Sequence, residues 1–150
     1  MKTQSMFKKS MNKTRRFKGK IYKYTPENIV TMFLRMLNTV KLYHWKTISY
    51  PEHKATDELY SNLNSNIDTF VETMLGKKGG RINLSNQKTL PLLAIENIND
   101  FKNEISKYKN FLINMSKDSE LNTSSNTDLL NIRDEILGNL NQFTYLLTFK

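Results

Sequence analysis

Apolar residues recur at helical spacing in four separate runs, and between the runs the pattern lapses into Gly, Asn, Ser and Lys. The first run, Ile29, Val30, Phe33, Met36, Leu37, Val40 and Tyr43, steps by three and four residues. That period lays one stripe of an α-helix against a core. Thr25-Pro26-Glu27 supplies its start: Thr accepts a free backbone N–H, Pro suits the first helical position, and Glu suits the positive end of the helix dipole. The spacing predicts a helix from Pro26 to about Trp45 or Lys46. A second run, Ala55, Leu59, Tyr60, Leu63, Ile67, Phe70, Val71 and Met74, predicts a helix from Pro51 to Gly76, with Gly76 as its left-handed cap. Ile98, Phe101, Ile105, Tyr108, Phe111, Leu112 and Met115 predict a third from about Glu96 to Ser116. Leu129, Leu130, Ile132, Ile136, Leu137, Leu140, Phe143, Leu146 and Leu147 predict a fourth, the most apolar, capped by Asn126 or Thr127.

The connection between the second and third helices is long. It opens with the polar run GKKGGRINLSNQKTL and closes with LPLLAI, residues 90–95, an apolar patch expected to dock on the bundle or on a subunit. The Gly79-Gly80 pair is not a phosphate loop, because no strand precedes it and the GKS or GKT ending is missing. The expected fold is therefore all-α, a four-helix bundle with one long crossover.

Composition narrows the classes. A chain of 150 residues is most simply one domain. It has no Cys, which excludes disulfide frameworks, thiolate metal sites and cysteine nucleophiles. No apolar run reaches the length of a membrane span, and the basic N-terminus lacks the apolar segment of a secretory signal. The formal charge is +9, and its placement is uneven. Residues 1–23 hold Lys2, Lys8, Lys9, Lys13, Arg15, Arg16, Lys18, Lys20 and Lys23 with no acidic residue, so the remainder of the chain is neutral. Residues 1–24 read as a basic arm ahead of a bundle at 25–150. Lys8, Lys9, Lys13, Arg15, Arg16, Lys18 and Lys20 are candidates for contact with nucleic-acid phosphates. Phe7, Phe17, Tyr22 and Tyr24 could stack on bases or anchor the arm to protein. A solubilising, assembly or localisation tail is the plainer alternative.

Four candidate metal ligands lie in the second helix: His53, Asp57, Asp68 and Glu72. At roughly 100° per residue they point at about 0°, 40°, 60° and 100°, one arc bordering the apolar stripe. The His53/Asp57 and Asp68/Glu72 pairs are nevertheless about 22 Å apart along the axis. One metal cannot reach both in one copy. An antiparallel second copy related by a twofold axis would set His53 and Asp57 against Asp68 and Glu72, giving two identical sites per dimer. His44, at the end of the first helix, falls close to His53 across a short turn and is a further candidate ligand. The third and fourth helices contain no His, so the Glu-x-x-His pairs of single-chain diiron bundles are absent.

His44-Trp45 followed by the pattern H-x3-D-x10-D-x3-E at His53, Asp57, Asp68 and Glu72 resembles the Dps miniferritins, although the interval from His44 to His53 is shorter than is usual there. The resemblance implies a ferritin-like bundle whose ferroxidase centre lies between twofold-related subunits. It further implies oxidation of Fe(II), with His53, Asp57, Asp68 and Glu72 as the catalytic ligands and His44 joining them on the metal. Oxidation by peroxide, iron storage in a cage such as a dodecamer, and DNA held by the Lys-rich tail follow from it too. Zinc or manganese would suit the same donors. The expected setting is cytoplasmic or nucleoid-associated. The alternative is a noncatalytic ferritin-like component that packages nucleic acid in a nucleoid or virion; the Lys-, Asn- and Ile-rich composition fits AT-rich genomes, those of large DNA viruses among them.

Overall fold

The computed structural model describes residues 22–149. The seven candidate nucleic-acid contacts from Lys8 to Lys20 lie outside the described residues. Four α-helices follow in order: α1 (Pro26–Lys46), α2 (Tyr50–Lys78), α3 (Ile98–Asn114) and α4 (Thr127–Leu146). Single 3-10 turns at Met115–Lys117 and Ser124–Asn126 join α3 to α4, and there is no strand among the described residues.

Each helix starts and stops for a local reason. The Thr25 hydroxyl accepts from Asn28 N at 3.2 Å, and Pro26 opens α1. The Asn97 side chain accepts from the N–H groups of Asn99 and Asp100 and starts α3. Asn126 takes the cap position of α4 without bonding its first turn, because its side-chain amide donates to the carbonyls of Glu120 and Leu121. The cap expected at Gly76 falls instead at Gly79, whose φ of 70° is the left-handed conformation and whose N–H closes on Leu75 O. Lys77 carries α2 past Gly76, since its ammonium pairs with Asp128 at 3.0 Å and fixes that turn against α4.

All four neighbouring helix pairs run antiparallel. Phe33 meets Phe70, and His44 meets His53, between α1 and α2. Lys77 meets Asp128 between α2 and α4, with Ala55 near Leu146 at the other end. Arg133 reaches Leu112, and Phe101 meets Phe143, between α3 and α4. Tyr43 stacks on Phe101 with ring centroids 4.2 Å apart, and Thr39 bonds Tyr108, between α1 and α3. Since α2 and α3 are thereby parallel, the chain must return along the whole bundle to start α3. Residues 79–97 make that crossing. It docks through partly buried Ile82, Leu84 and Leu93 and buried Ile95, and Lys46 pairs with Glu96 at its end.

The core between the helices is built from the expected stripes, with Phe33, Met36, Leu63, Phe101, Leu112, Ile136 and Leu140 fully enclosed. Tyr22 and Tyr24 also join the body. Their rings pack edge-on and tilted against Phe111, and Tyr24 donates to Phe111 O at 2.6 Å. Burial of that phenol pushes its pKa up to about 12.

Candidate metal-binding corner

The turn between α1 and α2 is short, so the last turn of one helix lies directly against the first turn of the other. Glu52 locks them. One of its carboxylate oxygens accepts from Tyr43 at 2.6 Å and from Thr47 at 2.6 Å. Burial, then the Glu52 bond, pushes the Tyr43 phenol up to about 12. Ser49 completes the corner as the cap of α2, accepting from Glu52 N.

This lock brings the two histidines face to face. Their rings stack with centroids 4.0 Å apart and planes 22° from parallel. The bonding is reciprocal: His44 Nδ1 lies 3.1 Å from His53 O, and His53 Nδ1 lies 3.1 Å from His44 O. A carbonyl can only accept, so each Nδ1 carries a proton and Nε2 is the ring nitrogen left free of that bond. Thr56, fully buried, steadies the arrangement. Its hydroxyl donates towards Glu52 O and His53 O and sits 3.1 Å from His44 Nδ1. His44 itself is only 7 % exposed, whereas His53 is open to solvent.

Asp57, one turn further along α2, places a carboxylate oxygen 3.9 Å from His44 Nε2. His44, His53 and Asp57 thus form one cluster. Asp68 and Glu72 are not part of it, because α2 is continuous and carries them about 22 Å further along. Within one chain, the described residues contain no group of three or more His, Asp or Glu side chains arranged to hold a metal ion. The acidic candidates were expected to border a buried surface. In the single chain Asp57, Asp68 and Glu72 are all exposed, on the arc beside the one that Leu59, Leu63, Ile67, Phe70 and Met74 bury against the other helices.

Glu52, Thr56 and Tyr43 escaped the sequence reading as parts of this corner. Ser49-x-x-Glu52 was the available signal, a capping-box spacing just ahead of the helix.

The molecule is thus an all-α four-helix bundle with a paired-imidazole corner between its first two helices. It belongs to a family of unknown function, DUF5856, whose model matches residues 44–147, from His44 to the end of the fourth helix. No curated protein and no solved structure matches the chain. No helix of the described residues is long and apolar enough to cross a membrane.

Proposed function

We propose that this protein is a Dps-like, ferritin-like iron-binding protein that oxidises Fe(II) at sites shared between two copies of the chain. The observation that carries the reading is the reciprocal bonding of His44 and His53. Each ring is oriented by an Nδ1–H···O=C bond and offers Nε2, the way proteins commonly hold a ligating imidazole. Asp57 adds a carboxylate beside them. Asp68 and Glu72 of an antiparallel partner would complete the donor set, and mixed imidazole and carboxylate donors suit iron as well as zinc or manganese.

Two further features support the reading. Antiparallel packing with one long crossover is the connectivity of ferritin-like bundles. The outer face of α1 also leaves Leu34 and Trp45 exposed, 40 % and 69 %, as a surface a second copy could cover.

Iron is the substrate in this scheme. Two Fe(II) ions each lose one electron to hydrogen peroxide, whose O–O bond breaks to leave two Fe(III) and two hydroxides. The neutral imidazoles bind without adding charge, and the carboxylates offset that of the cations. The basic N-terminal arm, with nine cations and no acid in residues 1–23, would hold nucleic acid through phosphate contacts that weaken steeply with salt.

The test is anaerobic addition of Fe(II) followed by peroxide, with ferric absorbance followed in the native protein and in Asp68→Ala/Glu72→Ala. Fast oxidation, lost in the double variant while helicity is unchanged, is the expected outcome. A native protein no faster than buffer would refute the proposal.

A further inference from the structure

Where α1 starts, a groove of about 370 Å³ lies between the first turns of that helix and the crossover that follows α2. Glu27 is the only charged side chain in its lining, and the other polar groups are amides and one hydroxyl. Two of the amides have a fixed polarity. The Asn28 side-chain nitrogen donates to Lys23 O at 2.8 Å, and that of Gln87 donates to Thr89 O at 2.6 Å. A carbonyl can only accept, so these bonds settle which end of each amide is the nitrogen. The two amide oxygens accept no hydrogen bond among the described residues, and the Glu27 carboxylate is in none of the ion pairs found there.

At Glu27, Asn28 and Gln87 the groove therefore presents acceptors, one of them an anion. Its complement is a cation rich in donors. One carboxylate is too few for a divalent metal ion, which gathers about six oxygens, and the volume is that of a side chain rather than of an ion.

A source of such cations joins the body beside the groove. Asn28 holds the start of the described chain: besides its bond to Lys23, its backbone oxygen accepts from the Tyr22 hydroxyl at 2.8 Å. Ahead of Tyr22 come Arg15, Arg16, Lys18 and Lys20, and residues 1–21 contain no acid. Arg16 precedes Tyr22 by six residues, about 20 Å of chain at full extension, which is enough to double back past Asn28.

We propose that this groove seats the Arg15-Arg16 pair of the same chain's N-terminal arm, with a guanidinium against Glu27. A guanidinium carries five N–H donors in one plane, enough to serve the carboxylate and both amide oxygens, and its aliphatic stem suits Leu84 in the lining. The tether favours the chain's own arm over any free cation. Cations seated here are held off phosphate, so the seat restrains the arm's proposed contact with nucleic acid. It depends neither on that contact nor on iron.

The chain has no native Cys, so a disulfide can report the seat in the full-length protein, in chelator and without nucleic acid. Phe17→Cys puts a thiol next to Arg16, and Asn86→Cys puts its partner in the groove lining. Asn114→Cys, exposed at the end of α3 and without a capping bond, replaces Asn86→Cys in the control. In a redox buffer the Phe17–Asn86 disulfide should form within one chain, with an effective concentration at least roughly tenfold above the control. Adding Glu27→Gln should bring it down to the control, and so should Arg15→Gln/Arg16→Gln. The arginine changes alter no residue of the bundle, so their effect cannot come from unfolding of α1. A Phe17–Asn86 disulfide no more favourable than the control overturns the proposal, as does one that ignores both sets of changes. A disulfide formed chiefly between chains also overturns it, by making a second copy's arm the occupant.

Discussion

Tyr43 and Thr47 both donate to one oxygen of Glu52, and the orientation of His44 and His53 depends on that bond pair. Losing a hydrogen bond to a charged group costs about 1.5–3 kcal/mol, and the remaining Thr47 bond should limit the loss. Tyr43→Phe is thus expected to destabilise the fold by about 1–2 kcal/mol in urea unfolding. Its pH signature has a definite sign. The folded phenol holds its proton up to about 12 against an ordinary value of 10.0. The native state therefore binds that proton more tightly, and the stabilisation is complete below the ordinary value and lost as the pH climbs towards 12. Tyr24, raised to about 12 by burial, adds to the same alkaline loss. Unfolding midpoints should fall across that window in the native protein and fall less in Tyr43→Phe. An identical alkaline slope in both would show that the folded Tyr43 phenol is not held above its ordinary value. Thr56 offers a second check at this scale. Thr56→Val keeps the shape but removes the hydroxyl beside His44 Nδ1, so it should slow the proposed iron oxidation while costing about 1 kcal/mol of stability.

At the scale of the helix, two glycines three positions apart should respond oppositely to the same change. Gly76 lies inside α2 and Gly79 caps it with φ of 70°. Nothing lies within 4 Å of a Cβ placed on either, so backbone preference alone decides. Gly76→Ala should stabilise by about 0.5–1 kcal/mol, and Gly79→Ala should destabilise by about 1 kcal/mol. Thermal unfolding of the two variants distinguishes the observed cap from the one expected at Gly76. Two effects of the same sign would contradict the helix end at Lys78. The misplacement shows where the reading of the chain ran out. Periodicity ends at Met74, and either glycine could follow it; the deciding contact is Lys77 with Asp128, about fifty residues away in sequence. Thr25-Pro26 and the four apolar stripes were legible because caps and periods are local. The use of Asn126 as a clasp on Glu120 and Leu121 was not, because it depends on how the irregular loop before α4 folds back and follows neither a cap pattern nor a period.

Across the whole molecule, the crossover was legible in its length and its LPLLAI patch, while the exposure of Asp57, Asp68 and Glu72 was not. The helical wheel puts these carboxylates beside the apolar stripe, but only the packing of α2 between α1 and α4 decides which arc meets solvent. A site divided between copies makes a prediction that neither copy alone can satisfy. His53→Ala removes one half of each proposed site, and Asp68→Ala/Glu72→Ala removes the other. Each homodimer then contains two broken sites and should oxidise Fe(II) no faster than buffer. In a heterodimer of the two, one site has both damaged halves and the other has both native halves. Random pairing of equal amounts makes half of the dimers mixed, and half of the sites in these are whole, so about a quarter of native activity should return. Co-expressing the variants and following ferric absorbance measures this directly. No recovery in mixtures shown to contain heterodimers would rule out the twofold arrangement, whereas activity retained by the carboxylate variant alone would place oxidation at the His44, His53 and Asp57 cluster of a single chain.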